Sequence, residues 1–508
     1  MTKENVASMR SALEFLKKQN EVITITREVD PIYEIAGIQK ALEGGPALLF
    51  ENIKGYPAVR DTGNVFSRRE RLAMLFDVDD PKKIKFKCLD AMRNPIPPKV
   101  VDKAPCQEVV ITKDIDVMAT LPVIKHTERD AGRIIGGGNT LLSGKYFGNG
   151  THISFNRMHF RGKDWGTINT NLGHHLGNAA ITEFRGEKIP VTINICTPPA
   201  VVLTAGAGFI HSIVPRGSDE LGFAGGLQGF PVEICKAKTI DAYAVANAEW
   251  VIEGYVDSGD RVWESEAAEK SKKMALEPFF PEWPGYLGRV YKQPKFHATA
   301  ITHRADRPIF FTPLARSIDA DILSAPFKEA SVLELAERLY PGLVVDVNVL
   351  PGVAGWAANV IVQVRKRTGQ EGFQRALLET LLATLTLLRL TVVVDEDVDI
   401  YSPEDVLWAM TTRVDPKKDI VTGGGGIGQM LIPAAEAGVL HEMSKEPSFR
   451  GGSMGFDATM PVASKWRFER AHYPSDQIDL RKWLSEEEIA RVRSMQSDYI
   501  RMLADTGR

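Results

Sequence analysis

Two carboxylates, Glu277 and Glu282, stand close together in the stretch Leu276-Glu277-Pro278-Phe279-Phe280-Pro281-Glu282-Trp283-Pro284-Gly285-Tyr286. A carboxylate held against aromatic walls loses part of its hydration. Its pKa rises, and it becomes suited to trading protons near neutral pH. The three prolines fix φ and withhold backbone donors, and each pushes the preceding residue toward extended geometry. The sequence therefore predicts a stiff, irregular loop carrying two acids. The alternative is a pair of ordinary surface acids on an apolar loop.

A second constellation is Thr151-His152-Ile153-Ser154-Phe155-Asn156-Arg157. In a strand, His152, Ser154 and Asn156 share one face, and Ile153, Phe155 and Arg157 share the other. Gly173-His174-His175 and Ser218-Asp219-Glu220 follow downstream. Two histidines and a carboxylate from three segments have the donor types for a divalent metal. The signal is weak alone, because 10 histidines in 508 residues produce such sets by chance. Gly423, Gly425 and Gly428 match G-x-G-x-x-G, but Pro433 follows too soon for a dinucleotide-binding helix, and no acid follows at the expected place. This segment reads as a mobile loop.

The length points to two or three domains. A formal net charge of −3 argues against nucleic acid as a partner. Cys88, Cys106, Cys196 and Cys235 lie far apart with no CxxC pair, which argues against a disulfide scaffold and a structural zinc site and fits a reducing, cytoplasmic location. The N-terminus has no apolar run of the signal-peptide kind. Ala376 to Val394 reads as a buried helix running into a buried strand rather than a membrane span.

Periodicity predicts helices at Ala7–Gln19, Asp30–Leu42 (Asp30 as N-cap, Pro31 at N1), Asn171–Phe184, Val332–Leu339, Glu371–Leu387 and 402–412, and a last helix opened by the Ser485–Glu488 capping box. Strands are expected at Glu21–Val29, Pro46–Asn52, Glu108–Thr112, Gly137–Leu142, Gly150–Phe160, Ile189–Ile195, Leu221–Gln228, Phe230–Lys236, Ala248–Val256, Phe296–Thr302, Val344–Leu350, Ala358–Lys366 and Arg389–Val394. Pro198–Phe209 reads as turns, and the lysines of 82–87 as a solvated face. The fold class is α+β. An N-terminal α/β region (1–106) precedes a β-rich middle domain (107–310) holding the acidic loop, an α/β domain (311–475) and a C-terminal helix (476–508) whose apolar stripe must be covered.

Several segments coincide in order: x-x-Ser-x-x-Arg ending at Arg157, a histidine, Glu220, and Leu-Glu-x-x-x-x-Glu-x-x-Gly-Tyr. The run Val394-Asp395-Glu396-Asp397-Val398-Asp399 then leads to Trp408-Ala409-Met410-Thr411-Thr412-Arg413. This order resembles the UbiD family of (de)carboxylases, which use prenylated FMN supplied by a flavin prenyltransferase. The resemblance implies an FMN-binding split β-barrel-like middle domain, an oligomerisation domain and a homo-oligomer, a dimer or a hexamer. It implies Arg157 as catalytic arginine, Glu277 as proton donor and acceptor, and Glu282 as the acid completing a Glu-Arg-Glu network. It also implies a divalent metal (Mn2+ or Mg2+) held by Glu220 and His175, with His152 where the family usually has Asn or Asp. Imidazole suits manganese or zinc better than magnesium; the alternative role for His152 is a cationic contact to the cofactor phosphate. Ser154, Phe155, Asn156, His174, Thr204, Ala205, Gly206 and Ala207 fall where the family wraps its flavin, and Arg413 where it binds K+.

The implied reaction is reversible, non-oxidative decarboxylation of an aromatic, heteroaromatic or α,β-unsaturated acid. Loss of CO2 from an sp2 carbon needs an electron sink that side chains lack. Phe280 and Trp283 suit a planar substrate, and the glycine-rich Val421–Leu440 segment suggests a gate for a polycyclic acid or an aryl-CoA thioester. The main rival is a metal-dependent hydrolase using His152, His175 and Glu220.

Overall fold

In a computed structural model of the chain the described residues are 3–148, 150–170, 175–208, 210–273, 277–353, 359–385, 388–427, 431–434, 436–438 and 448–508. The element that fixes the shape is an eight-stranded sheet. Its order is Thr151–Phe155, Gly138–Ser143, Lys188–Ile195, Trp250–Trp263, Lys292–His303, Trp165–Ile168, Met158–Phe160, with Val109–Ile111 added beside Lys292–His303. The first and last strands of that path are joined only by Asn156 and Arg157. Laid flat, seven strands would hold their edges roughly 29 Å apart at the usual spacing, whereas three peptide steps reach about 11 Å. The sheet must therefore curl until its edges nearly meet, giving the half-barrel. The expected single strand Gly150–Phe160 is for that reason two strands broken at the seam.

Before it, Val22–Ile25, Ala47–Phe50 and Arg60–Gly63 form a sheet completed by the distant Ile309–Phe311 strand, which pairs in parallel with Arg60–Gly63. After it, Val344–Asn348, Asn359–Val364, Leu390–Asp395, Ser448–Ala458 and Ile420–Ile427 lie side by side in that order, with Glu436–Gly438 on Ser448–Ala458. The Ile318–Leu339 helix, capped by Ser317 and buried along most of its length, runs between these layers. Its residues join both the large N-terminal and middle core and the core of the C-terminal sheet. It includes the expected Val332–Leu339 helix but starts four turns earlier.

Local signals gave several elements correctly. The helices Met9–Lys18 and Pro403–Arg413, and the Ser485–Glu488 capping box, are present. Ala376–Val394 is a helix to Thr384 and a strand from Leu390, with 386–387 outside the described residues. Others differ. Leu221–Gln228 belongs to a helix, Glu220–Gln228. A Cβ on Gly225 would lie 2.3 Å from the Ile96 carbonyl, so the glycines serve close helix packing rather than a strand. Pro198–Phe209 contains the Pro199–Ala205 helix, with proline in its first turn. The second helix opens at Glu34, because Asp30 spends its carboxylate on the Ile32 N–H (2.8 Å) and Lys54 (2.8 Å). Asn171–Phe184 is reduced to His175–Asn178 and a π-turn over Ala179–Glu183, with 171–174 outside the described residues. Gly423 to Ile427 is strand, not loop, and Gly428 lies outside the described residues. The C-terminal helix is two, Glu486–Met495 and Asp498–Thr506, because Ser497 caps a new start.

The lysine-rich 82–87 segment is not wholly solvated. Lys85 is fully buried and donates from Nζ to Asp346 Oδ1 (2.5 Å), to the Tyr401 hydroxyl (2.6 Å) and to the Val347 carbonyl. It ties the Ile84–Arg93 helix to the C-terminal sheet. Removing one partner of a buried ion pair leaves the other uncompensated. Lys85→Ala is expected to lower unfolding free energy by about 3–5 kcal/mol, read from urea denaturation; a loss under about 1 kcal/mol contradicts this account.

Candidate active site

The acidic loop folds as a hairpin rather than as irregular chain. Pro278–Pro281 pairs with Leu287–Arg289 across a bulge. Two of its three prolines sit at the ends of a short strand with few ladder bonds, where a missing N–H costs little. Gly285 takes the left-handed conformation at the tip (φ +91°), and a Cβ on Gly288 would lie 2.7 Å from Glu282 Cγ. These glycines let the tip fold Glu282 inward. Trp283, beside it, packs into the core of the C-terminal sheet and anchors the tip.

The barrel seam and this hairpin face one hollow, lined from both by Phe155, Asn156, Arg157, Phe280, Glu282 and Trp283. At one end Arg157, carried out of the strand by the break at Asn156, donates from one terminal nitrogen to Glu282 Oε1 and from the other to Glu264 Oε1 (3.3 Å). The guanidinium lies 4.6 Å from the Phe279 ring centroid and 5.6 Å from that of Phe280. All three charged groups are buried. Burial raises the pKa of Glu264, and the charges of Arg157 and Arg261 oppose it. Burial lowers that of His159, whose ring is bonded to the Glu264 carbonyl (2.6 Å).

At the other end His152, His175 and Glu220 come together, one ligand atom from each lying within 4.8 Å of the others. Glu220 opens its helix, and its Oε2 accepts the Ile153 N–H (2.9 Å) and bonds the His152 ring Nδ1 (2.9 Å). His175 Nε2 is 3.9 Å from Glu220 Oε1. His152 Nε2 is buried with no hydrogen-bond partner among the described residues. Phe147 packs on both rings. The three expected metal ligands thus converge from separate segments.

Ser154, Phe155, Asn156, Thr204, Ala205 and Ala207 all line the hollow. Asn156 is fixed by the Asn169 carbonyl (2.9 Å) and the Ser154 hydroxyl (2.9 Å). Gly206 instead packs on Leu323, and His174 lies outside the described residues. Two expected residues stand apart. Glu277 lines a separate cleft with Asp130 and His159. Arg413 is paired with Asp397 (3.0 and 2.5 Å), stacked on Trp408, and lines another hollow with Arg470 and Tyr499. Glu264 is the residue that sequence reasoning missed. It follows the long Trp250–Trp263 strand, outside the proline-rich loop, so only its pairing with Arg157 marks it out.

The chain matches three consecutive family models. These are the N-terminal domain of 3-octaprenyl-4-hydroxybenzoate carboxy-lyase over residues 13–86, its Rift-related domain over 99–316 and its C-terminal domain over 321–458. It is 30% identical over 472 residues to the gallate decarboxylase of Lactiplantibacillus plantarum, covering 88% of this chain and 92% of that one. The apo 3,4-dihydroxybenzoic acid decarboxylase of Enterobacter cloacae superposes with a TM-score of 0.80 at 30% identity, over 95% of this chain and 99% of the other. The UbiD-class enzyme HmfF of Pelotomaculum thermopropionicum, solved with FMN, gives 0.79 at 29% identity over 94% and 100%; an evolved dimeric form of it was solved with prFMN. A half-barrel closed at Arg157, with these models matching one after another along the chain, establishes that the protein belongs to the UbiD family and is a carboxy-lyase.

Proposed function

We propose that the chain catalyses reversible, non-oxidative decarboxylation of a hydroxylated aromatic acid of the gallate and 3,4-dihydroxybenzoate kind, with prenylated FMN and a divalent metal bound in the hollow between Arg157 and Glu220. The observation that carries this is the pairing, at opposite ends of one hollow, of a buried acid–arginine unit with a two-histidine, one-carboxylate cluster. The names of two relatives support the substrate class, and the HmfF structures support the cofactor.

The residues suit both groups. His152 Nε2 is a buried nitrogen without a hydrogen-bond partner among the described residues, and the cluster combines nitrogen and oxygen donors. That set favours manganese or zinc over magnesium, which prefers oxygen ligands. We assign the metal the task of holding the cofactor phosphate. The hydrolase alternative loses its ground once the chain is a carboxy-lyase.

When bound, prenylated FMN supplies the sink for the electron pair left as CO2 departs. The chain's own residues do the rest. Phe280 and Trp283 form the apolar wall on which a planar acid can lie, and they keep water from the reacting carbon. Arg157 holds the Glu282 carboxyl in place with a charge-assisted bond. Glu282 lines the hollow whereas Glu277 does not, so we transfer the proton-donor role to Glu282. Protonated Glu282 gives its proton to the ring carbon that has lost CO2, forming the C–H bond, and is left as a carboxylate until solvent returns the proton. Carboxylation runs the same steps backwards.

We also propose a homo-oligomer. The two C-terminal helices bury no residue, and Trp483 and Met495 are 67% and 78% exposed, a surface that a second copy can cover. Among the described residues no helix is long and apolar enough to cross a membrane. The bulky-substrate gate has less support: Ile420–Ile427 is strand, and within 421–440 Leu431 touches the hollow.

Coexpression with a flavin prenyltransferase is expected to give a protein whose visible spectrum and extracted cofactor mass are those of prenylated FMN, and which releases CO2 from 3,4-dihydroxybenzoate or gallate. A protein that takes up metal but no flavin, whether expressed with the prenyltransferase or without it, overturns the proposal. In the active protein, Glu282→Gln is expected to lower kcat by about 100-fold or more, the scale of a lost general acid, with cofactor content unchanged. For the metal, His152→Asn is expected to shift preference from manganese toward magnesium, measured as metal content after dialysis against an equimolar mixture. An unchanged ratio removes His152 from the ligand set.

A further inference from the structure

The cysteines stand far apart in the sequence, yet two of them meet in the fold. Cys106 and Cys235, separated by 129 residues, have their Sγ atoms 3.8 Å from each other, and both side chains are buried. Cys88, on the Ile84–Arg93 helix, and Cys196, after the Lys188–Ile195 strand, are buried as free thiols. Backbone bonds hold the close pair in place. Glu233–Lys236 is the middle strand of a small sheet, with Tyr243–Val245 on one side and Lys99–Val100 on the other. The Cys106 N–H donates to the Ala246 carbonyl (3.1 Å), and the Ala246 N–H donates to the Glu233 carbonyl (2.9 Å). The Gln107 side-chain amide donates to the Lys236 carbonyl (2.8 Å). The strand that carries Cys235 is thus tied, on both sides of that residue, to the turn that carries Cys106.

We propose that Cys106 and Cys235 are an oxidation site, at which a peroxide converts two neighbouring thiols into a disulfide that closes the chain around the half-barrel. Neither cysteine lines the hollow, so the site is separate from the decarboxylase chemistry and does not rest on it. The segment between the two cysteines holds six of the eight strands of the large sheet, from Val109–Ile111 to Lys188–Ile195. It also holds Arg157, His152, His175 and Glu220. A cross-link at its ends removes conformations from the unfolded chain and so favours the folded one, more strongly for a long loop than for a short one.

The two sulfurs have different tasks. The hydrogen bond from the Cys106 S–H, helped by the charge of Lys238, holds Cys235 below the ordinary thiol range against the effect of its burial. The same bond and burial push Cys106 up. The thiolate is the nucleophile, so Cys235 reacts first. Its sulfur attacks one oxygen of hydrogen peroxide, the O–O bond breaks, and hydroxide leaves to become water. Cys235 is then a sulfenic acid, oxidised by two electrons, and the peroxide is reduced. The Cys106 sulfur attacks the Cys235 sulfur. The S–S bond forms, the S–O bond breaks, and the departing hydroxide takes the Cys106 proton as a second water. The sulfurs close from 3.8 Å to about 2.0 Å, a movement on the scale of a side-chain rotation. Access comes from the sheet edge. Lys99–Val100 is two residues long and exposed, so opening there costs little and admits a small oxidant.

The test uses the full-length protein, fully reduced and then treated with hydrogen peroxide while folded. After removal of the peroxide it is denatured, alkylated and digested for mass spectrometry. The alkylated thiols are expected to fall from four to two, with one peptide linking 106 to 235 that dithiothreitol separates. The thermal midpoint of the oxidised protein is expected to rise by about 5 °C, the scale of a long cross-linked loop in a chain of this size. Cys106→Ala and Cys235→Ala are expected to show no such rise. With dimedone present, Cys106→Ala is expected to carry the label on Cys235, and Cys235→Ala to carry none on Cys106. Four alkylated thiols after peroxide overturn the proposal. So does a linked peptide that forms only in denatured protein, a linkage between two chains, or a cross-linked protein that melts no higher than the reduced one. The reverse dimedone pattern overturns it as well. The linked peptide is sought in the unsubstituted protein, so a variant that fails to fold leaves the result intact.

Discussion

A guanidinium buried between two carboxylates is the interaction on which the rest of this structure depends. Taking one cation and two anions out of water is expensive, and their mutual attraction compensates only if geometry is held closely. Each wall around Arg157 contributes to that geometry. The barrel seam brings the arginine in, the hairpin tip delivers Glu282, the end of the Trp250–Trp263 strand presents Glu264, and Phe279 and Phe280 cover the guanidinium faces. The seam, the strand end and the hairpin are separate segments of the chain, so the site exists only when the half-barrel is closed.

The closure explains how the two ends of the hollow are coordinated. The strand Thr151–Phe155 carries His152 toward Glu220, and the seam that ends it carries Arg157 toward Glu282. One short strand thus sets the distance between a cluster suited to a metal and an acid suited to proton transfer. The Glu220 helix is fixed to the same strand, because Glu220 accepts the Ile153 N–H and the Thr151 hydroxyl accepts the Leu221 N–H (3.1 Å). A shift of this strand by one residue would turn its side chains to the opposite face and dismantle both ends together.

Support from outside the barrel comes from the Ile318–Leu339 helix and from buried ionic links between layers. Leu323 on that helix lines the hollow and limits the space beside Gly206. Glu329 on the same helix accepts from Arg69, and Lys85 binds Asp346 and Tyr401 across to the C-terminal sheet. Trp283 extends the connection to the hairpin tip. The position of Glu282 therefore depends on the C-terminal sheet as well as on the barrel.

Short-range chemistry could be read from the residues in order. Caps at Ser402 and Ser485, the amphipathic first helix, most of the alternating strands and the residue types of the site were legible, because each signal acts within a few residues. The order of motifs was also enough to indicate the family. Tertiary structure decided which acids meet Arg157. Glu264 and Glu282 lie 107 and 125 residues from it in the chain, and nothing local to Glu277 shows that it faces another cleft. The same holds for the Glu220–Gln228 helix, where a short apolar run fits either period until Gly225 meets Ile96. It holds too for Lys85, whose charge reads as surface until Asp346 and Tyr401 enclose it. Local preference is set by the backbone and its nearest neighbours, whereas the partner of a buried charge is set by whichever distant segment the closed sheet brings within hydrogen-bond reach.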